Sequence, residues 1–295
     1  MCAGVAPTPR PNPTIAISPY SMIETLRRPG PQQKASPALV KELRDYVEFA
    51  ALAYCGYSFD NLTERAKLFA YILNAKTSTH AKVFISPLQK EIIVTFRGSD
   101  SFAKLMQVYD SSWAPFGKKP GQFVHLNVFA YTRAIRRQVR DAISDLLYEH
   151  PSYRIVLVGH SLGGAIATLM APFIAKQFRI PPPSIRIITY NQPRVGNRQF
   201  AKDYNQLNFN LSRVVNKDDP VPAHPPFQAN WTHVQREVYI NSENEFYLCR
   251  AKGFEDHHCS FKKSSIFGFL HHSYIADLKV THKFFHPALA RDVIC

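Results

Sequence analysis

Apolar and polar residues follow two different periods along this chain, and the period separates predicted helices from predicted strands. After Ser36-Pro37, a pair typical of a helix start, apolar residues recur at helical spacing, which predicts a helix over 37–54. A second amphipathic helix is predicted over 133–148. Short apolar runs rich in β-branched residues predict strands at 82–85, 91–96, 153–158, 185–190 and 211–215.

The order of these elements predicts the fold class. Strands that alternate with helices imply parallel βαβ units, and strands this apolar suit a sheet that is covered on both faces. We therefore predict an α/β fold, with a mostly parallel central sheet and helices on both faces. Pro172 lies inside the helix predicted after residue 164 and is expected to kink that helix or end it early.

The first 35 residues differ in composition from the remainder of the chain. They are rich in proline, so residues 1–35 are predicted to form an extended or disordered arm before a single domain, 36–295. This arm lacks the basic and apolar regions of a secretory signal. No run approaches 18 apolar residues, so no transmembrane helix is expected.

The chain is strongly basic, with a formal net charge of +14 and a pI near 9.6. The basic residues are spread along the sequence, mostly in pairs, and no nucleic-acid-binding motif accompanies them. We therefore expect a solvated basic surface with a weak attraction to anionic lipid or wall polymers, and no nucleic-acid partner. The spacing of the cysteines supports neither a zinc site nor a redox motif, so no metal is predicted.

Gly159-His160-Ser161-Leu162-Gly163 is the strongest chemical motif in the sequence. It lies between a predicted buried strand and a predicted helix, which is the context of a nucleophile elbow. In such a turn the serine hydroxyl stands clear of the sheet at a helix N-terminus. Ser161 is therefore the candidate nucleophile, and the alternative is a glycine-rich turn with a buried serine.

A serine nucleophile needs a histidine base and an acid that orients the imidazole. In α/β-hydrolases the chain order is serine, acid, histidine. Asp218 and Asp219 follow the strand predicted over 211–215, and both fit the position of the acid. Spacing alone does not choose among the histidines that come later, which are His224, His233, His257, His258, His271, His272, His282 and His286.

Six blocks of the sequence, at 95–99, 124–125, 159–164, 190–197, 215–222 and 271–274, follow one another in the order of a known family. On these blocks, the chain over about 37–280 resembles the fungal class 3 lipases, a family that includes triacylglycerol lipases, mono- and diacylglycerol lipases and type A feruloyl esterases. It departs from the family pattern at Asn127-Val128, at Asn191 in place of a glycine, and at Pro172.

The resemblance implies a role for each matching residue. It makes Asp219 the acid and His271, three residues before Tyr274, the base, with His272 as the alternative. It places the Ser99 N–H and hydroxyl in the oxyanion hole, with the Leu162 N–H as the second donor. The implied activity is cofactor-free hydrolysis of acylglycerol esters through an acyl-enzyme. The alternatives are hydrolysis of feruloyl or other carbohydrate esters, and a non-catalytic protein that binds lipid or wall polymers.

A candidate lid follows the oxyanion block. Phe102, Leu105, Met106 and Tyr109 recur on one helical face, and Trp113 comes next. We predict that residues 101–112 form an amphipathic lid whose apolar face meets substrate at a lipid–water interface, with transient membrane contact and no obligate protein partner. A fixed surface helix would show the same pattern. The apolar stripe favours acylglycerols over feruloyl esters.

Only the resemblance assigns disulfide partners to the cysteines. It implies the disulfides Cys249–Cys259 and Cys55–Cys295, and it leaves Cys2 unpaired. Such bridges imply a secreted protein, although no secretory signal is visible. The alternative is a cytosolic form in which all five cysteines are reduced.

Overall fold

The computed structural model describes residues 33–55, 65–99, 104, 106–107, 109–250, 255–256 and 258–280, with the backbone alone at 262, 266 and 279. The chain divides between residues 31 and 32, and every described residue belongs to the second unit, 32–295. The domain boundary predicted at 35 lies close to this division. Residues 33 and 34, predicted to belong to the arm, form an edge strand of the sheet.

The helices and strands follow the predicted α/β order. The helices are α1 (Pro37–Leu52), α2 (Leu126–Glu149), α3 (Leu162–Phe178), α4 (Arg198–Gln206) and α5 (Phe269–His272). The strands are β1 (Gln33–Lys34), β2 (Lys67–Asn74), β3 (Thr79–Ser86), β4 (Glu91–Phe96), β5 (Trp113–Pro115), β6 (Phe123–His125), β7 (Arg154–His160), β8 (Arg186–Tyr190), β9 (Gly196–Asn197), β10 (Asn210–Asn216), β11 (Trp231–Thr232), β12 (Glu237–Ile240), β13 (Phe246–Leu248), β14 (Tyr274–Ile275) and β15 (Leu278–Lys279).

The central sheet confirms the predicted fold class. Within the described residues, nine strands pair in the order β1-β13-β12-β10-β8-β7-β4-β3-β2. The five inner strands β12, β10, β8, β7 and β4 are parallel, whereas β2, β3, β13 and β1 pair antiparallel at the two sides. The parallel strands therefore end at one common edge, where connecting loops can bring side chains together.

The sheet is buried on both faces, as the apolar strands predicted. Along β7, Ile155 and Leu157 belong to the core shared with α2 and α3, whereas Val156 and Val158 belong to the core shared with α1. This alternation is the period of two expected for a strand between two helical layers. Each fully buried aliphatic side chain of this kind contributes roughly 1.5–3 kcal/mol to folding.

Two helices show how well local sequence patterns predict where a helix begins and ends. Ser36 caps α1, its hydroxyl accepting the Leu39 N–H at 3.3 Å, so the predicted start is confirmed, whereas the helix ends at Leu52, before the predicted residue 54. The expectation that Pro172 would end α3 early is wrong, because the helix continues to Phe178. Twelve buried α3 residues anchor it against the sheet, and this packing outweighs the lost N–H donor.

No described helix is long and apolar enough to cross a membrane. The predicted Cys249–Cys259 disulfide is present. Cys55 is buried just after α1, and its predicted partner Cys295, like Cys2, lies outside the described residues.

Candidate active site

Ser161 occupies a strained turn between β7 and α3. Its backbone has φ 56° and ψ −130°, a conformation that a residue with a side chain rarely adopts. A Cβ atom on Gly159 would lie 2.3 Å from the Gly163 oxygen, and one on Gly163 would lie 2.0 Å from the Phe96 oxygen. These close approaches explain why glycine flanks the serine, and they are the expected features of a nucleophile elbow.

His272 is the histidine that contacts the nucleophile. Its Nε2 lies 2.9 Å from Ser161 Oγ, and its Nδ1 lies 2.7 Å from Asp219 Oδ2. A carboxylate only accepts, so Nδ1 carries the proton and Nε2 is free to accept from the serine hydroxyl. Serine, histidine and aspartate are thereby joined in the order that general-base catalysis requires.

The prediction that His271 is the base is therefore corrected to His272. His271 Nδ1 pairs instead with Asp218 Oδ1, and about a third of each of these two side chains is exposed. The 265–272 segment runs along the 218–219 loop, where Ser265 N–H donates to the Asp218 oxygen. This register places two histidines opposite two aspartates. Only the inner pair, His272 and Asp219, reaches Ser161, whereas His271 and Asp218 form the outer pair.

Asp219 is held as a buried acid on the loop after β10. Its side chain is inaccessible to solvent, and its Oδ1 accepts the Val221 N–H at 2.9 Å. Burial raises the pKa of Asp219, while His272 and the Val221 N–H oppose that rise because they stabilise the carboxylate. His272 therefore stabilises the charged form of Asp219, and Asp219 in turn orients the ring of His272.

Ser99 lies on the loop that leaves β4, beside the elbow. Its side chain is buried, and its Oγ has no hydrogen-bond partner among the described residues. The Gly163 backbone packs directly on Phe96, which lies three residues before Ser99. This contact brings the Ser99 loop against the start of α3. Leu162 opens that helix, so its N–H has no acceptor within it. The Ser99 hydroxyl is therefore free to donate, and the Leu162 N–H, next to Ser161 in the chain, has no acceptor in the helix.

His160 holds the backbone of His272 in place. Its Nε2 donates to the His272 backbone oxygen at 2.7 Å, and its Nδ1 accepts from the Tyr54 hydroxyl at 2.8 Å. Burial lowers the pKa of His160 well below its ordinary value, with the neighbouring His272 adding to the effect. A neutral His160 therefore fixes the backbone of the base without adding a second charge.

Two buried asparagine side chains, from Asn191 and Asn216, also grip the segment that carries the base. Asn191 Nδ2 donates to the His271 oxygen at 3.2 Å, and Asn216 Nδ2 donates to the His271 and Tyr274 oxygens at 3.1 and 3.0 Å. Asn191 Oδ1 accepts the Asn216 N–H at 2.8 Å, so the two asparagines are joined. Asn191 is fully buried, and it therefore positions the base segment rather than shaping an acyl groove.

Replacing Asn191 with glycine should lower kcat about tenfold and leave KM unchanged, because the base segment loses one of its anchors. Glycine accepts the positive φ of 50° at this position, so backbone strain does not confuse the result. Asn208→Gly is the matched control, since Asn208 has φ 55° but is exposed and distant in sequence from the base. Steady-state kinetics with thermal melting tests this, and an unchanged kcat in Asn191→Gly would contradict it.

The predicted lid lies only partly within the described residues. Lys104 and Met106 are helical, while Phe102 and Leu105 lie outside the described part of the chain. Met106 is 45% exposed, and Tyr109 is half-buried with its ring 4.2 Å from that of His224. Burial raises the pKa of Tyr109 to about 12, and the Asp219 charge adds to the effect.

Trp113 does not belong to a lid helix. It lies in β5 and stacks on Trp231, with ring centroids 3.5 Å apart and planes 11° from parallel. Residues 110–112 are also not helical, because the Asp110 carboxylate accepts the Ser112 N–H and forms a turn. The prediction of helix over 101–112 is therefore wrong for its last residues, where this turn leads into β5.

Comparison with known proteins finds a similar family. The model of the class 3 lipases matches residues 93–229, which span the oxyanion loop, the elbow and the acid. Over these residues, which are a little under half of the chain, the protein is similar to the class 3 lipases. The resemblance inferred from the sequence motifs is therefore confirmed.

Individual relatives share the fold at modest identity. The chain is 28% identical to a lipase of Rhizopus niveus over 70% of its own length, and 27% identical to secreted mono- and diacylglycerol lipase 1 of Fusarium solani over 68%. It spans 56% and 64% of those two proteins, which is less than two thirds of their length. The solved triacylglyceride lipase of Rhizomucor miehei superposes with a TM-score of 0.76 and 25% identity, covering 84% of this chain and 98% of that one.

Proposed function

We propose that the chain is a serine hydrolase that cleaves the ester bonds of acylglycerols. The observation that carries the proposal is the hydrogen-bonded series from Ser161 through His272 to Asp219. The lipases of Rhizopus niveus, Fusarium solani and Rhizomucor miehei support the substrate class, because their names describe lipases and two of them specify acylglycerols.

In the proposed reaction His272 takes the proton of Ser161 as the hydroxyl attacks the ester carbonyl. The negative charge that develops on the carbonyl oxygen is stabilised by the N–H groups of Ser99 and Leu162 and by the Ser99 hydroxyl. The protonated His272 then gives its proton to the departing alcohol, which leaves an acyl group on Ser161. Water, deprotonated by His272, attacks this acyl-enzyme and releases the fatty acid by the same steps in reverse.

Asp219 keeps His272 in the tautomer that these steps need and stabilises its charged form. The buried environment strengthens this interaction because little solvent screens it. These side chains and backbone N–H groups supply the nucleophile, the base, the acid and the oxyanion donors of an acyl transfer, and the proposed mechanism uses no cofactor.

The site is proposed to meet substrate beneath the 101–112 segment, which we call the lid segment. The exposed Met106 and the contact between the rings of Tyr109 and His224 support this placement. We also propose that the protein is secreted. The Cys249–Cys259 disulfide and the secreted Fusarium solani relative support that location.

A substrate panel tests the proposed activity. The purified protein should release fatty acid from mono-, di- or triacylglycerol emulsions and should be far slower on methyl ferulate. Ser161→Ala, folded by circular dichroism, is the control for contaminating esterases. Methyl ferulate as the preferred substrate would instead make the protein a feruloyl esterase, and no ester hydrolysis at all would reject an enzymatic role.

A further inference from the structure

A basic groove lies between the β2–β3 turn and helix α2. It has a volume of about 580 Å³, and four cations line it: Lys76 from the turn, and Arg133, Arg136 and Arg137 from the helix. The three arginines are spaced at i, i+3 and i+4, so they share one helical face. All four side chains belong to exposed residues. The sequence showed only scattered basic pairs, and it is the fold that gathers these charges.

The positive charge of the groove is not neutralised by neighbouring acids. Its described lining contains no aspartate or glutamate. Asp141, the next carboxylate along α2, is bound by Arg140. The guanidinium groups of Arg133 and Arg136 lie over the rings of Phe129 and Phe173, at 5.7 and 4.7 Å, and a ring orients a cation without cancelling its charge. The groove is therefore suited to an anionic partner.

The groove lies at the same edge of the sheet as the active site. Strand β2 is antiparallel to β3, which is antiparallel to β4, so β2 and β4 end at one edge. Two described residues of the lid segment, Lys104 and Gln107, contact the same two elements. Lys104 Nζ donates to the Thr77 oxygen at 3.2 Å and lies 5.0 Å from the Tyr131 ring of α2. Tyr131 in turn donates its hydroxyl to Gln107.

Large apolar side chains accompany these charges. Phe69 and Leu73 both lie on the edge strand β2, and they are 43% and 44% exposed. Leu73 also lines the groove. Exposed apolar side chains beside a row of cations match a membrane interface, where phosphates meet the cations and acyl chains meet the apolar groups. A soluble polyanion would make no use of the apolar side chains.

We propose that this groove docks the protein on an anionic lipid surface. Arginine pairs with phosphate through two parallel hydrogen bonds, so phospholipid headgroups are the expected ligands of the three guanidinium groups. Because the lid segment contacts the same turn and helix, docking brings the lid to the lipid. The orienting role rests on the proposed function, whereas the binding itself does not require hydrolysis.

Vesicle sedimentation tests the binding with the full chain carrying Ser161→Ala, which keeps the lipid intact. At an ionic strength of about 0.15 M, vesicles of phosphatidylcholine with phosphatidylglycerol should bind the protein, and vesicles of phosphatidylcholine alone should bind it far more weakly. The combined change Arg133→Gln, Arg136→Gln, Arg137→Gln should weaken binding to the anionic vesicles about a hundredfold.

Two matched variants distinguish a specific effect of the groove on binding from the effects of net charge and of misfolding. Lys118→Gln, Lys176→Gln, Lys202→Gln removes the same charge from exposed lysines that do not line the groove, and it should bind within about threefold of the parent. Replacing the three arginines by lysine keeps the charge and should retain most of the binding. Equal losses in the two glutamine variants would overturn the proposal, as would binding to polyglutamate without binding to vesicles.

Activity then tests the orienting role in a protein with an intact Ser161. The groove variant should hydrolyse a dissolved short-chain ester at the parent rate, and it should lose activity only on acylglycerol emulsions that contain phosphatidylglycerol. Parental activity on those emulsions would overturn the orienting role. A parent that hydrolyses no ester would reject the proposed function alone, because vesicle sedimentation still decides whether the groove binds lipid.

Discussion

Replacing His272 with alanine should nearly abolish ester hydrolysis, with kcat falling about 10⁶-fold. The variant keeps Ser161 and Asp219, but nothing at Nε2 accepts the serine proton, and an unassisted hydroxyl is a poor nucleophile near neutral pH. His272 is 4% exposed, so the variant also leaves a cavity, and circular dichroism must show that it folds.

His271→Ala is the matched control for this prediction. It removes the same kind of side chain one residue earlier, and the lost partner is the partly exposed Asp218 rather than Ser161. We expect kcat within about tenfold of the parent, since a pair this accessible to solvent contributes little. If His271→Ala loses as much activity as His272→Ala, the assignment of the base from this geometry is wrong.

Replacing Asp219 with asparagine should lower kcat about 10⁴-fold while the protein stays folded. The asparagine amide can donate to Nδ1 of His272, which favours the tautomer that carries its proton on Nε2 and cannot accept from Ser161. Asp218→Asn is the matched control on the neighbouring residue, and we expect kcat near the parent value. Steady-state kinetics on a dissolved ester, which avoids interfacial effects, provides the measurement.

The outcome of this second comparison discriminates between the two histidine–aspartate pairs. The inner pair reaches Ser161 through His272, whereas the outer pair of His271 and Asp218 ends at the surface. A large loss in Asp218→Asn with a small loss in Asp219→Asn would mean that the outer pair is the catalytic one.

The fold class and the elbow could be predicted because their signals are local. A buried strand, a glycine-flanked serine and an apolar helix are contiguous in the chain, and the uninterrupted apolar run of β7 is typical of a strand that is buried on both faces. Asp219 was predicted as the acid from the resemblance, through the 215–222 block. In the structure, Asp219 is the aspartate that contacts His272.

The base was missed because neighbouring histidines can be told apart only by the helical face they occupy. In α5, Phe269 and His272 are three residues apart and lie on the inward side, whereas Leu270 and His271 lie on the outward side. Phe267, just before α5, and Leu270 are large apolar side chains that are 84% and 56% exposed, so hydrophobicity would have pointed the wrong way. Only the register of α5 against the 218–219 loop resolves the choice.

The remaining features of the site depend on long-range pairing that no local pattern reveals. Asn191 is 80 residues from the His271 oxygen that it holds, and His160 is 112 residues from the His272 oxygen. A positive φ at Asn191 explains why a glycine or an asparagine suits the turn, but not which side chain it contacts. Trp113 was likewise grouped with the lid because its partner Trp231 is distant in sequence.

The central claim is that His272 activates Ser161 as a nucleophile, and labelling by a serine-directed phosphonate tests it most directly. This reagent reports the reactivity of the serine without requiring that the natural substrate be known. Intact-mass and peptide analysis of the folded protein should find one adduct, on Ser161, at similar rates in the parent and in His271→Ala and at a negligible rate in His272→Ala. An unlabelled Ser161 in the folded parent, or equal labelling in His272→Ala, would contradict the account.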